Sequence, residues 1–269
     1  MKVKVIYHDD VDGRASAHLV GTCYKNVEFA PFHHGDINID GTGADIVYII
    51  DISIPPKQLA VLMEECAVVW IDHHKTAIEN LPTHIPGIRR VGTAACELTW
   101  EYLFPFTDVP MYIKLIGDRD VWAWQYGDST MYFSYGIHAE DTSPTSKIWD
   151  TVSEDCQTII DKGAAIYKYI RQQSLAALKE RSFLLEWRGY RTLAINSDLI
   201  KSAEFMKEFA PDVVIWMTFR MVADSSKRYW TVTIYSDAID VSSIAAEYGG
   251  GGHKGAAGFQ SADLLFLND

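Results

Sequence analysis

Val69-Trp70-Ile71-Asp72-His73-His74-Lys75 reads as a buried strand that ends abruptly in an acid and two imidazoles. A short apolar run rich in β-branched residues is the pattern of a parallel-sheet strand covered on both faces. Two other runs end in the same way. Lys2 to His8 leads into Asp10-Val11-Asp12-Gly13, and Asp45 to Ile50 stops on Asp51. A fourth stretch, Met111 to Asp118, also delivers an acid after apolar residues. Open α/β sheets build their sites just beyond the carboxyl ends of their strands. If these elements lie side by side, His8, Asp10, Asp12, Asp51, Asp72, His73, His74 and Asp118 share one crevice. Carboxylates packed that closely cannot all ionise unaided, and bound divalent cations resolve the conflict.

The flanking sequence predicts an α/β fold. Arg14 to Tyr24 reads as a helix after the first strand, with Asp12 available to cap it. Val27 to Phe32 is a short strand, followed by a polar, Gly-containing loop through Gly43. Ile54-Pro55-Pro56 opens a helix through about Cys66, with proline in its first turn. Such alternation marks a parallel sheet with helices on both faces. A loop from Leu81 to Gly92 leads to a helix over Ala94–Leu103, and another helix runs from Val109 to Leu115. Residues 1–150 are assigned to this first domain. Residues 151–186 read as a helical connector, with a break near Gly163. Residues 187–269 read as a smaller α+β domain, with strands at Tyr190–Asn196, Val213–Met221 and Tyr229–Tyr235 and a helix over Asp240–Tyr248.

Composition narrows the function. A chain of 269 residues with a net charge of -12 lacks the broad basic surface that coats long duplex nucleic acid. A short anionic substrate is compatible, because metals and a few local cations supply positive field. The four cysteines, Cys23, Cys66, Cys96 and Cys156, form no paired motif and read as reduced thiols. The amino terminus lacks the apolar region of a signal peptide, and no apolar run is long enough to span a bilayer. The expectation is a soluble cytoplasmic protein with no membrane partner; oligomeric state is not readable.

Each motif also has a plain structural reading. His8-x-Asp10-x-Asp12 places three ligand types on one turn, suited to Mn²⁺ and also to Mg²⁺, Co²⁺ or Zn²⁺; the same turn could simply cap a helix. Asp51 could be a solvated loop acid, and Asp118 a surface acid in the charged run Asp118-Arg119-Asp120. Adjacent imidazoles at His73 and His74 exceed what a turn requires. Gly249 to Gly252, before His253 and Lys254, is either a flexible linker or a backbone nest for an anion. The joint pattern over four segments carries the metal reading.

At these residues the chain resembles the DHH phosphoesterase superfamily, in the subgroup with a C-terminal DHH-associated domain that includes nanoRNases and RecJ-type exonucleases. His8-Asp9-Asp10-Val11-Asp12-Gly13, Asp51, Asp72-His73-His74, Asp118 and Gly250-Gly251-Gly252-His253 match the family motifs in order, so the resemblance runs from residue 8 to 259. It implies a two-metal site, with His8, Asp10 and Asp51 on one cation and Asp12, Asp51, His73 and Asp118 on the other. Mn²⁺ is the expected metal, with Mg²⁺ or Co²⁺ as substitutes. His74 would contact the scissile phosphate, and Asp72 would orient it. The implied reaction is hydrolysis of short single-stranded oligonucleotides to nucleoside monophosphates by a metal-activated hydroxide, in a crevice between the two domains. Gly250, Gly251, Gly252, His253 and Lys254 would hold substrate. Tyr235 stands where many relatives carry a phosphate-binding arginine and cannot replace a bidentate guanidinium. Other possible substrates are a nucleotide bisphosphate such as 3'-phosphoadenosine 5'-phosphate, a cyclic dinucleotide or pyrophosphate. A nucleotide-sensing module without catalysis is a further alternative.

Overall fold

The computed structural model describes residues 1–32, 41–80, 84–196, 209, 212–221 and 227–268. The expected loops after Phe32 and at Leu81 therefore lie partly outside the described residues. The chain divides into two compact units, Met1–Tyr167 and Lys168–Asp269.

The first unit is built on four parallel strands, β1 (Val3–His8), β2 (Val27–Phe32), β3 (Ile46–Ile50) and β4 (Ala67–Ile71), in the order β2-β1-β3-β4. Successive side chains of a strand point to opposite faces, so each interior strand must feed two cores. Ile49, Val68 and Trp70 pack with Leu59 and Leu62 of α2 (Pro56–Glu65) on one face. Tyr48, Ile50, Val69 and Ile71 pack with Ala17 and Val20 of α1 (Val11–Cys23) and Leu98 of α4 (Ala95–Leu103) on the other. Full burial of each such aliphatic side chain contributes roughly 1.5–3 kcal/mol, which ties the strand ends to a rigid platform. A parallel sheet flanked by helices is the architecture the sequence predicts.

Local structure differs from expectation at informative places. Helix α1 begins at Val11 because Asp10, not Asp12, caps it: the Asp10 carboxylate accepts from Gly13 N at 2.9 Å. A short helix, α3 (Lys75–Asn80), directly follows the two imidazoles. The chain after it runs beside β4, with Trp70 N bonded to Pro86 O and Asp72 N to Ile88 O, and so occupies the outer edge of β4. Helix α5 (Met111–Asp120) continues through Gly117 to Asp120 rather than stopping near Leu115. It is followed by α6 (Asp128–Ile137), α7 (Ile148–Glu154) and α8 (Gln157–Arg181). Helix α8 does not break at Gly163. That glycine lets α8 approach α6, since a Cβ there would lie 1.7 Å from Tyr132 O.

In the second unit a six-stranded sheet has the order β5-β6-β7-β8-β10-β9. Its strands are β5 (Ser182–Trp187), β6 (Tyr190–Asn196), β7 (Val213–Met221), β8 (Arg228–Tyr235), β9 (Gly251–His253) and β10 (Ala256–Ser261). Residues 182–186, expected to be helical, belong to β5, which pairs antiparallel with β6 through a turn at Arg188-Gly189. Helix α9 (Val241–Glu247) packs Val241, Ile244 and Ala245 into this unit's core, with Trp187, Ile215 and Phe259. The smaller unit is thus α+β, as expected.

Candidate metal centre

Strand order places the switch in direction between β1 and β3, where an open α/β sheet forms its crevice. His8 ends β1, Asp51 follows β3 and Asp72 follows β4. Asp51 adopts a left-handed backbone with φ of 61°, a conformation that Asp tolerates better than most residues. Its amide still bonds to Ile71 O at 3.0 Å, so the acid leaves the sheet while anchored to β4. Gly13 is equally constrained: a Cβ there would lie 2.1 Å from His8 O. The absence of a side chain lets the first turn of α1 lie against the end of β1 and sets Asp10 beside His8.

The resulting cluster has three overlapping groups of potential ligands. His8, Asp10 and Asp51 form one, Asp51, His73 and His74 a second, and Asp12, His73 and Asp120 a third; within each, the ligand atoms lie within 4.8 Å of one another. His8 Nδ1 lies 2.7 Å from Asp10 Oδ2 and 3.5 Å from Asp51 Oδ2. His73 Nε2 lies 3.1 Å from Asp51 Oδ1 and 3.5 Å from Asp120 Oδ2. His74 Nδ1 lies 2.8 Å from Asp72 Oδ1. Asp72 is fully buried, and the same Oδ1 accepts from the amides of His73 and His74, at 2.7 and 3.1 Å. Asp72 therefore holds the shape of the double-imidazole turn. Its Oδ2 is buried without a hydrogen-bond partner among the described residues.

Electrostatics matches the geometry. Burial raises the Asp12 carboxyl well above the usual carboxylate range, and Asp120, Asp51 and Asp10 add to the effect. Burial likewise pushes Asp120 up to about 6, with Asp51 and Asp10 adding to it and His73 opposing it. Burial opposes ionisation of Asp51 too, but His73 and His8 outweigh it and hold its carboxyl below the usual range. The hydrogen bond to Asp10, then that to Asp51, raises His8 to about 10. Burial pulls His73 down, yet Asp51, Asp120 and Asp12 bring it up to about 9. His74 is raised chiefly by its hydrogen bond to Asp72. Such a site stabilises positive charge. Its mixed carboxylate and imidazole donors fit divalent transition ions, Mn²⁺ among them, and Asp51 and His73 each belong to more than one group.

One assigned ligand lies elsewhere. Asp118 is buried, but it accepts from Gln125 N at 2.7 Å, from Tyr126 N at 3.2 Å and from the Thr130 hydroxyl. It anchors the segment after α5, and Asp120 takes the place expected for it. The reason is helical rotation: at 3.6 residues per turn, positions two apart point to nearly opposite sides. The sequence contains both acids, but only a helix carried past Leu115 through residue 120 separates them. Asp12 also does more than expected. Its oxygens accept from Ala95 N and Cys96 N at 2.9 and 2.8 Å, which fixes the carboxylate against the first turn of α4.

In the second unit the glycine run is not an open nest. Gly249 N bonds to Ala246 O and Gly250 N to Ala245 O, with Gly249 at a φ of 77°. This is the closing pattern of a helix C-terminus, and it uses the first two amides to end α9. Gly251 to His253 then form β9. His253 is paired with Ala256, and Ala256 with Tyr235, so these three share one row of the sheet. Lys254 follows β9; its carbonyl accepts from Val241 N at the start of α9.

No family model matches the chain. Over 203 residues it is 26% identical to the uncharacterized protein R106 of Acanthamoeba polyphaga mimivirus, covering 71% of this chain and 47% of that protein. Over 252 residues it is 25% identical to the oligoribonuclease NrnB of Bacillus subtilis strain 168, covering 82% of this chain and 61% of NrnB. The chain thus spans about half to three-fifths of the length of the curated relatives it matches. Among solved structures, the DHH domain of PF0399, a member of a family of ribosomal proteins, superposes with a TM-score of 0.57 at 13% identity, over 97% of this chain and 82% of that one. The parallel sheet with its acids and imidazoles at the carboxyl edge is the fold of that DHH domain.

Proposed function

We propose that this chain is a metal-dependent phosphodiesterase that hydrolyses short oligonucleotides to nucleoside monophosphates. The observation that carries the proposal is the overlap of three ligand groups through Asp51 and His73 at one sheet edge. The oligoribonuclease named among the relatives supports the substrate class. His8, Asp10 and Asp51 are assigned to one divalent cation, and Asp12, Asp51, His73 and Asp120 to a second. Mn²⁺ is the preferred ion. Divalent cations bound there supply charge against the phosphoryl oxygens and acidify the attacking water. Asp72 fixes the His74 ring through Nδ1, so that its Nε2 edge can donate to a non-bridging phosphate oxygen. Gly251, Gly252, His253, Lys254 and Tyr235 are assigned to the substrate on the second unit, with the Gly250 amide excluded because it closes α9. A cytoplasmic setting belongs to the same proposal and is supported by four free cysteines. Among the described residues no helix is long and apolar enough to cross a membrane.

The test is a Mn²⁺-supplemented assay over di- to decanucleotides, 3'-phosphoadenosine 5'-phosphate, cyclic dinucleotides and pyrophosphate, with products resolved by chromatography. Mononucleotide release that stops on chelation and returns with Mn²⁺ is expected. Orthophosphate release from the bisphosphate or pyrophosphate alone would replace the nuclease by a phosphatase. Cleavage confined to cyclic dinucleotides would narrow the substrate class. Tight nucleotide binding without turnover would make the chain a sensor. Full activity in a demonstrably metal-free preparation would refute the two-cation assignment.

A further inference from the structure

Beside the acid cluster lies a group of aromatic and cationic side chains that phosphoryl chemistry does not require. A cavity of about 280 Å³ is lined by Asp10, Asp12 and Asp120 together with Arg119, Trp122 and Phe133. Trp122 remains 45% exposed, although large aromatic side chains usually contribute to stability by burial. The Arg119 guanidinium lies 4.1 Å from the ring centre of Trp122 and 5.0 Å from that of Trp124. The two indoles meet edge to face, with centres 5.0 Å apart. Both tryptophans have positive φ, 59° and 56°, a backbone state that bulky residues avoid and that persists only where surrounding bonds impose it. Those bonds come from Asp118, whose carboxylate holds Gln125 N and Tyr126 N and whose carbonyl accepts from Ala123 N. A buried acid thus fixes the segment that displays the indole beside Asp120.

We propose that Trp122, backed by Arg119 and Trp124, is the shelf on which a base of the nucleotide substrate stacks while its phosphate lies at the acid cluster. The proposal rests on the phosphoesterase reading of that cluster and adds base recognition within the first unit. The cavity lies near the lower end of the roughly 300–1,000 Å³ of small-molecule sites, which suits one nucleoside rather than a long strand. An indole face accepts any base, because every base presents a π-face. Arg119 completes an indole–guanidinium stack and places one positive charge among the acids, where a phosphate would otherwise be repelled. The shelf therefore selects for the presence of a base, and only weakly for its identity.

The test measures binding apart from turnover. Affinities of AMP and ribose 5-phosphate are measured by calorimetry with the full chain and Mn²⁺, for wild type, Trp122→Ala, Trp122→Phe and Trp122→Leu. Wild type should bind AMP about tenfold or more tightly than ribose 5-phosphate. Trp122→Ala should lose that preference while binding ribose 5-phosphate as before, and Trp122→Phe should restore most of it. Trp122→Leu, which keeps apolar bulk without a ring, should behave like alanine and decides the matter if the alanine variant does not fold. Equal affinities in wild type, or a preference that survives the loss of the ring, overturn the shelf. A ring-dependent preference in a protein that cleaves no oligonucleotide refutes the nuclease reading and leaves the shelf standing.

Discussion

Asp118 and Asp120 make opposite predictions, although a single residue separates them. Asp118→Ala deletes the acceptor for two backbone amides and one hydroxyl. Hydrogen bonds to a charged group contribute about 1.5–3 kcal/mol each. Gln125 and Tyr126 are exposed, so water can satisfy part of the loss. The net destabilisation should be roughly 3 kcal/mol, which for a domain of this size lowers Tm by roughly 6–12 °C. Metal content of the folded fraction should stay near that of wild type. Asp120 makes one long contact with His73 at 3.5 Å and stands among acids that repel it. Asp120→Asn should therefore leave the stability of chelator-treated protein within about 1 kcal/mol of wild type, because losing one long ion pair is offset by relief of the repulsion from Asp51 and Asp10. It should weaken Mn²⁺ binding and with it the stabilisation that Mn²⁺ confers on the wild-type fold. Urea denaturation with and without chelator, together with elemental analysis, separates the two effects. If Asp118→Ala lost a metal at unchanged chelated stability, while Asp120→Asn kept both metals, the assignment of Asp120 in place of Asp118 would be wrong.

The two adjacent imidazoles should also separate. His73→Ala should lower metal occupancy, whereas His74→Ala should keep it and reduce turnover about 100-fold or more; the reverse pattern in elemental analysis would exchange their roles. His253→Ala should reduce hydrolysis of a dinucleotide much more than that of bis(p-nitrophenyl) phosphate, since a substrate clamp contributes orientation as well as affinity; equal losses would remove His253 from substrate selection. His18, whose Nδ1 donates to Pro144 O at 2.9 Å and whose ring stacks on Trp149, has its pKa lowered by burial. The unfolded chain then binds the proton more readily, so His18 contributes stability that is present above its unfolded pKa of about 6.5 and lost as pH falls below it. His18→Gln should give a shallower fall in urea midpoint than wild type between pH 7.5 and 5.5, and parallel curves would count against the burial argument.

The strands that build the metal centre were legible because each combines two independent signals, an apolar run of strand length and a polar cluster at its end. That reading placed His8, Asp51 and Asp72 at three neighbouring tips, and the order β2-β1-β3-β4 agrees with it. Helix α5 was harder. The expected helix stopped at Leu115 and left Asp118 as the first acid of a loop, whereas the helix runs on to Asp120. A helix delivers an acid by angle, so Asp118 turned inward to the 125–130 segment and Asp120 to His73. The glycine run illustrates a different limit. Four consecutive glycines are compatible with a nest, a helix stop and a strand, and only the hydrogen bonds of Gly249 and Gly250 to α9 show which residues serve which purpose. The Trp122–Trp124 display had no sequence signal, because positive φ at tryptophan runs against the residue's own preference and is imposed by the neighbouring buried Asp118.

Asp12 shows why the ligand positions and the fold cannot be varied independently. A carboxylate in an acid cluster would relieve repulsion by rotating away, yet both Asp12 oxygens are already held by amides of α4. Helix α4 is in turn packed through Leu98 against the face of the sheet that carries Ile50 and Ile71, the residues immediately before Asp51 and Asp72. Moving Asp12 would unpair two buried donors and disturb the core beneath the other ligands, a penalty that opposes its rotation away from the cluster. The cluster therefore remains preorganised even where its carboxylates are pushed away from their ionised state, and a divalent cation meets ligands whose positions are set by packing rather than by the ion itself.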